Sequence, residues 1–186
     1  MPEDVPRRRA DAVRNERTLL DAAAAAFVAA GVSAPVRDIA KRAGVGVGTI
    51  YRHFPTRADL VVAVYKHQVQ ACVEAGPELL ASADTPHQAL AGWIDLFVDF
   101  LVTKHGLAEA MQSDDAGFRT LHAWFLEQLV PVCGQLLDAA VGAGQIRGDI
   151  EPLVLMFAVG NLCMGAGDPR YDPRLMAGVL VAGLAR

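Results

Sequence analysis

Apolar residues recur along this chain at spacings of three and four positions, which is the period of an α-helix that buries one face. No stretch alternates strictly between apolar and polar residues between hairpin-forming turns, so β-strands are not predicted. The pattern therefore predicts an all-α protein of about nine helices. Their predicted ranges are 12–30, 36–43, 47–53, 57–76, 86–106, 107–113, 116–141, 151–165 and 173–185.

The helix lengths divide the chain into a small N-terminal part and a larger C-terminal part. Residues 1–9 are predicted to form a flexible basic tail, since three arginines precede the first apolar stripe. Residues 10–56 contain three helices and are called the head. Residues 57–186 contain the longer helices and are called the body, which a long fourth helix joins to the head.

Composition excludes several classes of protein. Hydrophobic residues make up 53% of the 186 positions, which is enough to bury a sizeable core. No apolar run reaches the roughly 18–20 residues that span a bilayer, and no secretory signal opens the chain. The three cysteines lack the spacing of a disulfide framework or a zinc site. We therefore expect a cytoplasmic protein that binds no membrane.

Charge is distributed unevenly along the chain. Residues 1–66 carry 11 Lys and Arg against 7 Asp and Glu, a balance of +4. Residues 67–186 carry 6 against 14, a balance of −8. Chance clustering in a short chain is one explanation. The other is a nucleic-acid-binding head on an acidic body.

The head contains the pattern of a helix-turn-helix. Small residues at Ala40 and Ala43 let two short helices cross closely, and the turn that follows contains Gly44 and Gly46. In such a pair the second helix enters the major groove of DNA with its N-terminal residues against the base edges. The residues predicted to meet the bases are Val47, Gly48 and Thr49, with Arg52 one turn further on.

The sequence around this turn resembles a known DNA-binding signature. Residues 39–60 read IAKRAGVGVGTIYRHFPTRADL. This segment closely resembles the helix-turn-helix signature of the tetracycline-repressor (TetR) family of bacterial regulators, and the detailed resemblance covers about residues 14–65. Two departures stand out: Gly46 occupies a position where the family usually has serine, and Arg57 one where it usually has lysine.

The resemblance implies further DNA contacts. It implies that Tyr51 and His53 bind phosphate, although Tyr51 as a core residue and His53 as a plain surface residue remain alternatives. Arg57 combines its charge with the N-terminus of the predicted fourth helix, which is a natural site for an anion. Lys41 and Arg42 lie at the end of the first short helix. Lys41 is predicted to contact DNA, and Arg42 is predicted to be a solvated charge.

The resemblance also implies an effector pocket in the body. Aromatic residues and methionines at helical spacing are usually core, but they also line apolar pockets for small molecules. The candidate pocket residues are Trp93, Phe97, Phe118, His122, Phe125, Phe157 and Asn161. The effector itself is not identified by the sequence.

The predicted function is that of a homodimeric transcriptional repressor, released from a palindromic operator on double-stranded DNA by a small, mainly apolar ligand. In the family, the last two helices, here about 151–165 and 173–185, form the dimer interface. The alternative is a ligand-independent helical protein for architectural or nonspecific DNA binding. An enzyme is not expected, since the sequence contains no metal-binding histidine spacing, nucleophile motif or dinucleotide fingerprint. No cofactor or metal is therefore predicted.

Overall fold

The computed structural model describes the backbone of residues 4–110, 115–166 and 168–186, and the side chains of residues 14–102, 119–166 and 168–186. The described residues form eight α-helices and one 3-10 turn at Cys163–Gly165, which confirms the all-α prediction. The helices are α1 (Asp4–Ala30), α2 (Val36–Ala43), α3 (Val47–His53), α4 (Arg57–Ser82), α5 (Pro86–Ala110), α6 (Asp115–Gly142), α7 (Pro152–Leu162) and α8 (Pro173–Ala182). Among these residues no helix has the length and hydropathy to cross a membrane.

The turn between α2 and α3 follows from its glycines. Gly44 ends α2 with φ of 69°, a left-handed conformation that is strained for residues with a Cβ. The N–H of Val45 then donates to the carbonyl of Ala40 at 3.0 Å, which closes a Schellman-type helix end. Gly46 precedes α3 without a side-chain cap, as its lack of a hydroxyl predicts. Both short helices begin and end where the sequence predicts.

A capping box starts α4. The N–H of Asp59 donates to Thr56 Oγ1 at 3.1 Å, and the N–H of Thr56 donates to Asp59 Oδ2 at 2.9 Å. The helix was predicted to stop near the Gly76-Pro77 boundary, and this prediction is wrong, because α4 continues through Pro77 to Ser82. Gly76 is buried against Val132 of α6, so packing between the helices supports the segment in which proline removes a backbone donor.

Two other predicted boundaries are corrected. The first helix begins at Asp4, so residues 4–9 are helical where a flexible tail was predicted. The separate short helix predicted at 107–113 is absent from the described residues, since α5 continues to Ala110. Periodicity placed these ends poorly because neither segment carries a strong stop signal such as glycine in a left-handed conformation.

The body is built on an aromatic core between α4, α5 and α6. The rings of Trp93 and Phe97 stack at 5.4 Å between centroids, and Tyr65 meets Phe100 edge-on at 4.9 Å. Trp93 Nε1 donates to the carbonyl of Cys72 at 2.8 Å, so its one polar atom is satisfied in the core. This core fixes α4, and with it the position of the head.

The cysteines are all free and buried. Burial raises the pKa of the Cys72 and Cys133 thiols to about 12 and that of Cys163 to about 11. Thiols in this environment stay protonated near neutral pH and are poor nucleophiles.

Candidate nucleic-acid interface

One face of α3 is buried and the opposite face is open to solvent. Ile50 and Phe54 pack into the head, with Ile50 1% exposed. The opposite face of the helix is formed by four exposed residues at helical spacing: Val47, Gly48, Tyr51 and Arg52. Tyr51 is 49% exposed, which argues against the alternative of a core tyrosine. The outward face of α3, defined by these four residues, therefore presents a surface that a groove of DNA could receive.

The other predicted DNA contacts surround this face. His53 is exposed in the last turn of α3, with its ring 6.1 Å from that of Phe54. Thr49 is half-buried on the flank of the same helix. Lys41 is exposed in the last turn of α2. The nearby carboxylate of Asp59 accepts from Thr56 in the capping box, so it is engaged within the protein.

Arg57 is held inside the protein. Its Nε donates to the carbonyl of Val32 at 2.9 Å, and its Nη2 donates to the carbonyls of Val32 and of Ala34, the latter at 2.7 Å. Its guanidinium also lies over the ring of Phe27, 5.0 Å from the centroid. Burial lowers the pKa of Arg57, although the nearby Tyr51 acts in the opposite direction. These donors tie α4 to the loop between α1 and α2. The prediction that Arg57 contacts phosphate is untested.

A second surface lies at the other end of the chain, on α7 and α8, which contact each other. On α7, Val154 and Phe157 lie three positions apart and are exposed, Phe157 by 53%, and Met164 in the following 3-10 turn is 72% exposed. On α8, Leu175 and Val179 are exposed one turn apart. We call these five residues the apolar face. Exposed apolar surface of this extent is typical of a protein–protein contact.

The candidate pocket residues with described side chains differ in burial. Trp93, Phe97 and Phe125 are buried in the aromatic core, and the half-buried His122 has its ring 4.7 Å from that of Phe125. The prediction that these four residues bind an effector is untested. The side chain of Phe118 lies outside the described residues.

Phe157 and Asn161 are both exposed on α7 in the single chain. The prediction that they line an effector pocket is untested. Nearly every residue of α7 is apolar, so periodicity could not indicate which side of the helix faces inward.

Comparison with known proteins assigns both parts of the chain. Residues 19–64 match the family described as bacterial regulatory proteins, tetR family. Residues 85–186 match the family described as transcriptional regulator SbtR-like, C-terminal domain. The chain belongs to the TetR family. The match in the head contains α2 and α3, and the match in the body contains the apolar face.

Relatives of this TetR-family protein are similar over most of the chain. A TetR transcriptional regulator from Streptomyces coelicolor is 31% identical, with 91% of this chain and 98% of that one covered and a TM-score of 0.78. A TetR regulatory protein from Mycobacterium vanbaalenii is 32% identical, with 96% and 99% covered and a TM-score of 0.69. An HTH-type transcriptional regulator from Staphylococcus aureus is 23% identical over 122 residues, which span 65% of this chain and 66% of that protein.

Ion pairs between the helices of this TetR-family protein were not predicted from its sequence. His67 Nε2 lies 2.6 Å from Asp21 Oδ1, which links α4 to α1, and Arg17 Nη2 donates to Glu74 Oε2 at 3.1 Å across the same helices. Arg174 of α8 donates to Asp99 of α5. The two residues of each pair are 46 to 75 positions apart, so local sequence spacing does not predict that they meet.

Proposed function

We propose that this protein represses transcription as a homodimer that binds a pseudo-palindromic operator, and that a small ligand releases it from the DNA. The observation that carries the proposal is the outward face of α3, exposed on a helix whose opposite side is buried. A two-fold dimer would present two such helices to successive major grooves, about 34 Å apart. Such a regulator operates in the cytoplasm and catalyses no reaction.

Dimerisation is proposed to use the apolar face. The helices that carry it pack on α5 and α6 of the body. The face consists of apolar side chains that are exposed in the single chain, and a second copy would remove them from water. A two-fold axis matches this face to itself, as an isologous interface requires.

Within each half-site we propose two kinds of contact. The bases are approached by the N-terminal residues of α3, which are Val47, Gly48 and Thr49. Arg52 joins them because it lies on the outward side of the helix. Tyr51, His53 and Lys41 meet the phosphates and fix the register of the protein on the duplex. Arg57 supports this surface from within and is not among the proposed contacts.

The operator can be obtained directly. Purified protein is incubated with genomic fragments of its source organism, and the retained fragments are sequenced. We expect a consensus with two inverted half-sites. Binding to random duplex as firm as binding to any retained fragment would contradict the proposal and favour a nonspecific, architectural role.

Arg52→Ala and Tyr51→Phe form a matched test of the two kinds of contact. Arg52→Ala is expected to weaken operator binding about tenfold and to relax the preference at one position per half-site, since an arginine–base pair contributes about 1–3 kcal/mol of discrimination. Tyr51→Phe removes a phosphate contact and is expected to weaken binding to all duplexes alike. Fluorescence anisotropy with the retained fragment and a scrambled duplex measures both effects. An unchanged consensus for Arg52→Ala would refute its role.

Gly48→Ala is expected to separate stability from DNA binding. A Cβ at Gly48 would meet nothing within 4 Å in the protein, and alanine favours a helix over glycine by about 0.5–1 kcal/mol. The free energy of unfolding should therefore rise by that amount in denaturant titrations. Operator affinity should fall, because the added methyl group points from the outward face of α3 into the groove. A variant that is more stable and binds equally well would show that α3 does not approach the bases at this position.

Release by a ligand follows from linkage. A ligand that binds better to the form with displaced heads weakens operator affinity by the same factor by which DNA weakens ligand affinity. The helix α4 runs from the head into the aromatic core and is the proposed lever between the two sites.

A further inference from the structure

A cavity of about 450 Å³ lies at the junction of the head and the body, and we call it the seam cavity. Four helices line it: α1, α4 and α5 along its length, and α8 through Arg174. Its volume falls in the range of small-molecule sites. None of the predicted pocket residues with described side chains lines it.

The wall of the seam cavity is largely apolar and still in contact with water. The apolar part of the wall includes Ala24 and Val28 of α1, Ala71 of α4 and Leu96 of α5. Val28 is 38% exposed and Leu96 is 41% exposed, although both face the same cavity. A ligand with an apolar body would cover this surface and gain the free energy of removing it from water.

The charged groups at the seam cavity leave a negative balance. Asp21 pairs with His67, and Asp99 pairs with Arg174, whose guanidinium neutralises it. Counted formally with histidine uncharged, the two carboxylates and one guanidinium among these four side chains sum to one negative charge. A cation is therefore the charge that this site favours.

We propose that the seam cavity binds a small organic cation with an apolar body, and that this ligand regulates the DNA-binding head. The regulatory part rests on the proposed function, while the binding part stands on the cavity alone. A ligand in the cavity touches α1 of the head and α4, α5 and α8 of the body. Any movement of the head against the body changes these contacts, so ligand affinity and head position are linked.

The binding part is tested with benzyltrimethylammonium as the cation, benzyl alcohol as a neutral comparator and benzoate as an anionic one. Chemical-shift titrations of the full-length protein measure the affinity of each compound under the same conditions. We expect the cation to bind more tightly than both comparators. Equal or weaker binding of the cation would overturn the proposed ligand class.

Variants then place the ligand. Asp21→Asn keeps a partner for His67 but removes the charge, and it should weaken the cation about fivefold or more while benzyl alcohol changes by less than about twofold. Ala71→Leu adds three carbon atoms to the wall of the cavity and should weaken binding of both. Ala81→Leu puts the same side chain on an exposed position of α4 outside the cavity and should leave binding unchanged. Cation binding that neither Asp21→Asn nor Ala71→Leu affects would place the ligand elsewhere and overturn the site.

Regulation is tested on the genomic fragments that the protein retains. The cation is expected to change their retention by the wild type and by Ala81→Leu, but not by Ala71→Leu. Retention that the bound cation leaves unchanged would overturn the regulatory part alone. If no fragment is retained specifically, the proposed function fails, and the titrations still decide whether the seam cavity binds the cation.

Discussion

Phe157→Arg is expected to convert the protein into a monomer and to weaken operator binding about 100-fold or more. Phe157 is 53% exposed on α7 and belongs to the apolar face together with Val154 and with Met164 of the following 3-10 turn. An arginine there would bury a charge in an apolar interface without a partner, which costs several kcal/mol. The loss in DNA affinity follows because two linked half-site contacts exceed either one alone by about 10² to 10⁴.

Light scattering after gel filtration measures the molar mass and so the oligomeric state. Fluorescence anisotropy with the retained fragment measures the affinity for DNA. Val141→Arg is the matched control, because Val141 is also an exposed apolar residue but lies at the end of α6. It should remain dimeric and bind the fragment normally. A dimeric Phe157→Arg protein would show that the two chains pair through another surface.

Arg57→Ala is expected to lower the free energy of unfolding by about 2–3 kcal/mol. The change leaves the carbonyls of Val32 and Ala34 without their donor and removes the cation from the ring of Phe27. Hydrogen bonds from a charged group contribute about 1.5–3 kcal/mol, and the contact with the ring adds to this. For a chain of this length the midpoint of thermal unfolding should fall by roughly 4–12 °C.

Arg52→Ala is the reciprocal control for this result. Arg52 is exposed on α3, so its removal should change stability by less than about 0.5 kcal/mol while operator binding weakens. Arg57→Ala should show the opposite balance, provided that DNA binding is measured at a temperature where the variant is folded. Wild-type stability of Arg57→Ala together with uniformly weaker DNA binding would restore the interpretation of Arg57 as a phosphate contact.

The sequence was most informative where conformation depends on one or two residues. The ends of α2 and α3 were predicted correctly because Pro35 precedes the first helix and Gly44 and Gly46 occupy the turn. The cap of α4 is equally local, since the hydroxyl of Thr56 accepts from a residue only three positions along the chain. The exposed side of α3 also followed from the sequence, because Ile50 and Phe54 are the residues that must be buried.

The sequence was misleading where two distant segments decide the outcome. Pro77 was expected to end α4, but the packing of Gly76 against Val132 keeps the helix intact. Phe157 was assigned to a pocket, because an apolar residue on an apolar helix carries no sign of which side faces the core.

The sequence by itself determined the family, the all-α fold and the exposed face of α3, because each depends on local pattern and on a contiguous signature. Only the tertiary structure decided that Arg57 ties α4 to the loop between α1 and α2, that α7 turns Phe157 outward, and that α1, α4, α5 and α8 line one open cavity. Each of these features joins segments that lie far apart in the chain. Their geometry depends on how the helices pack as solid bodies, which the spacing of residues along one helix does not specify.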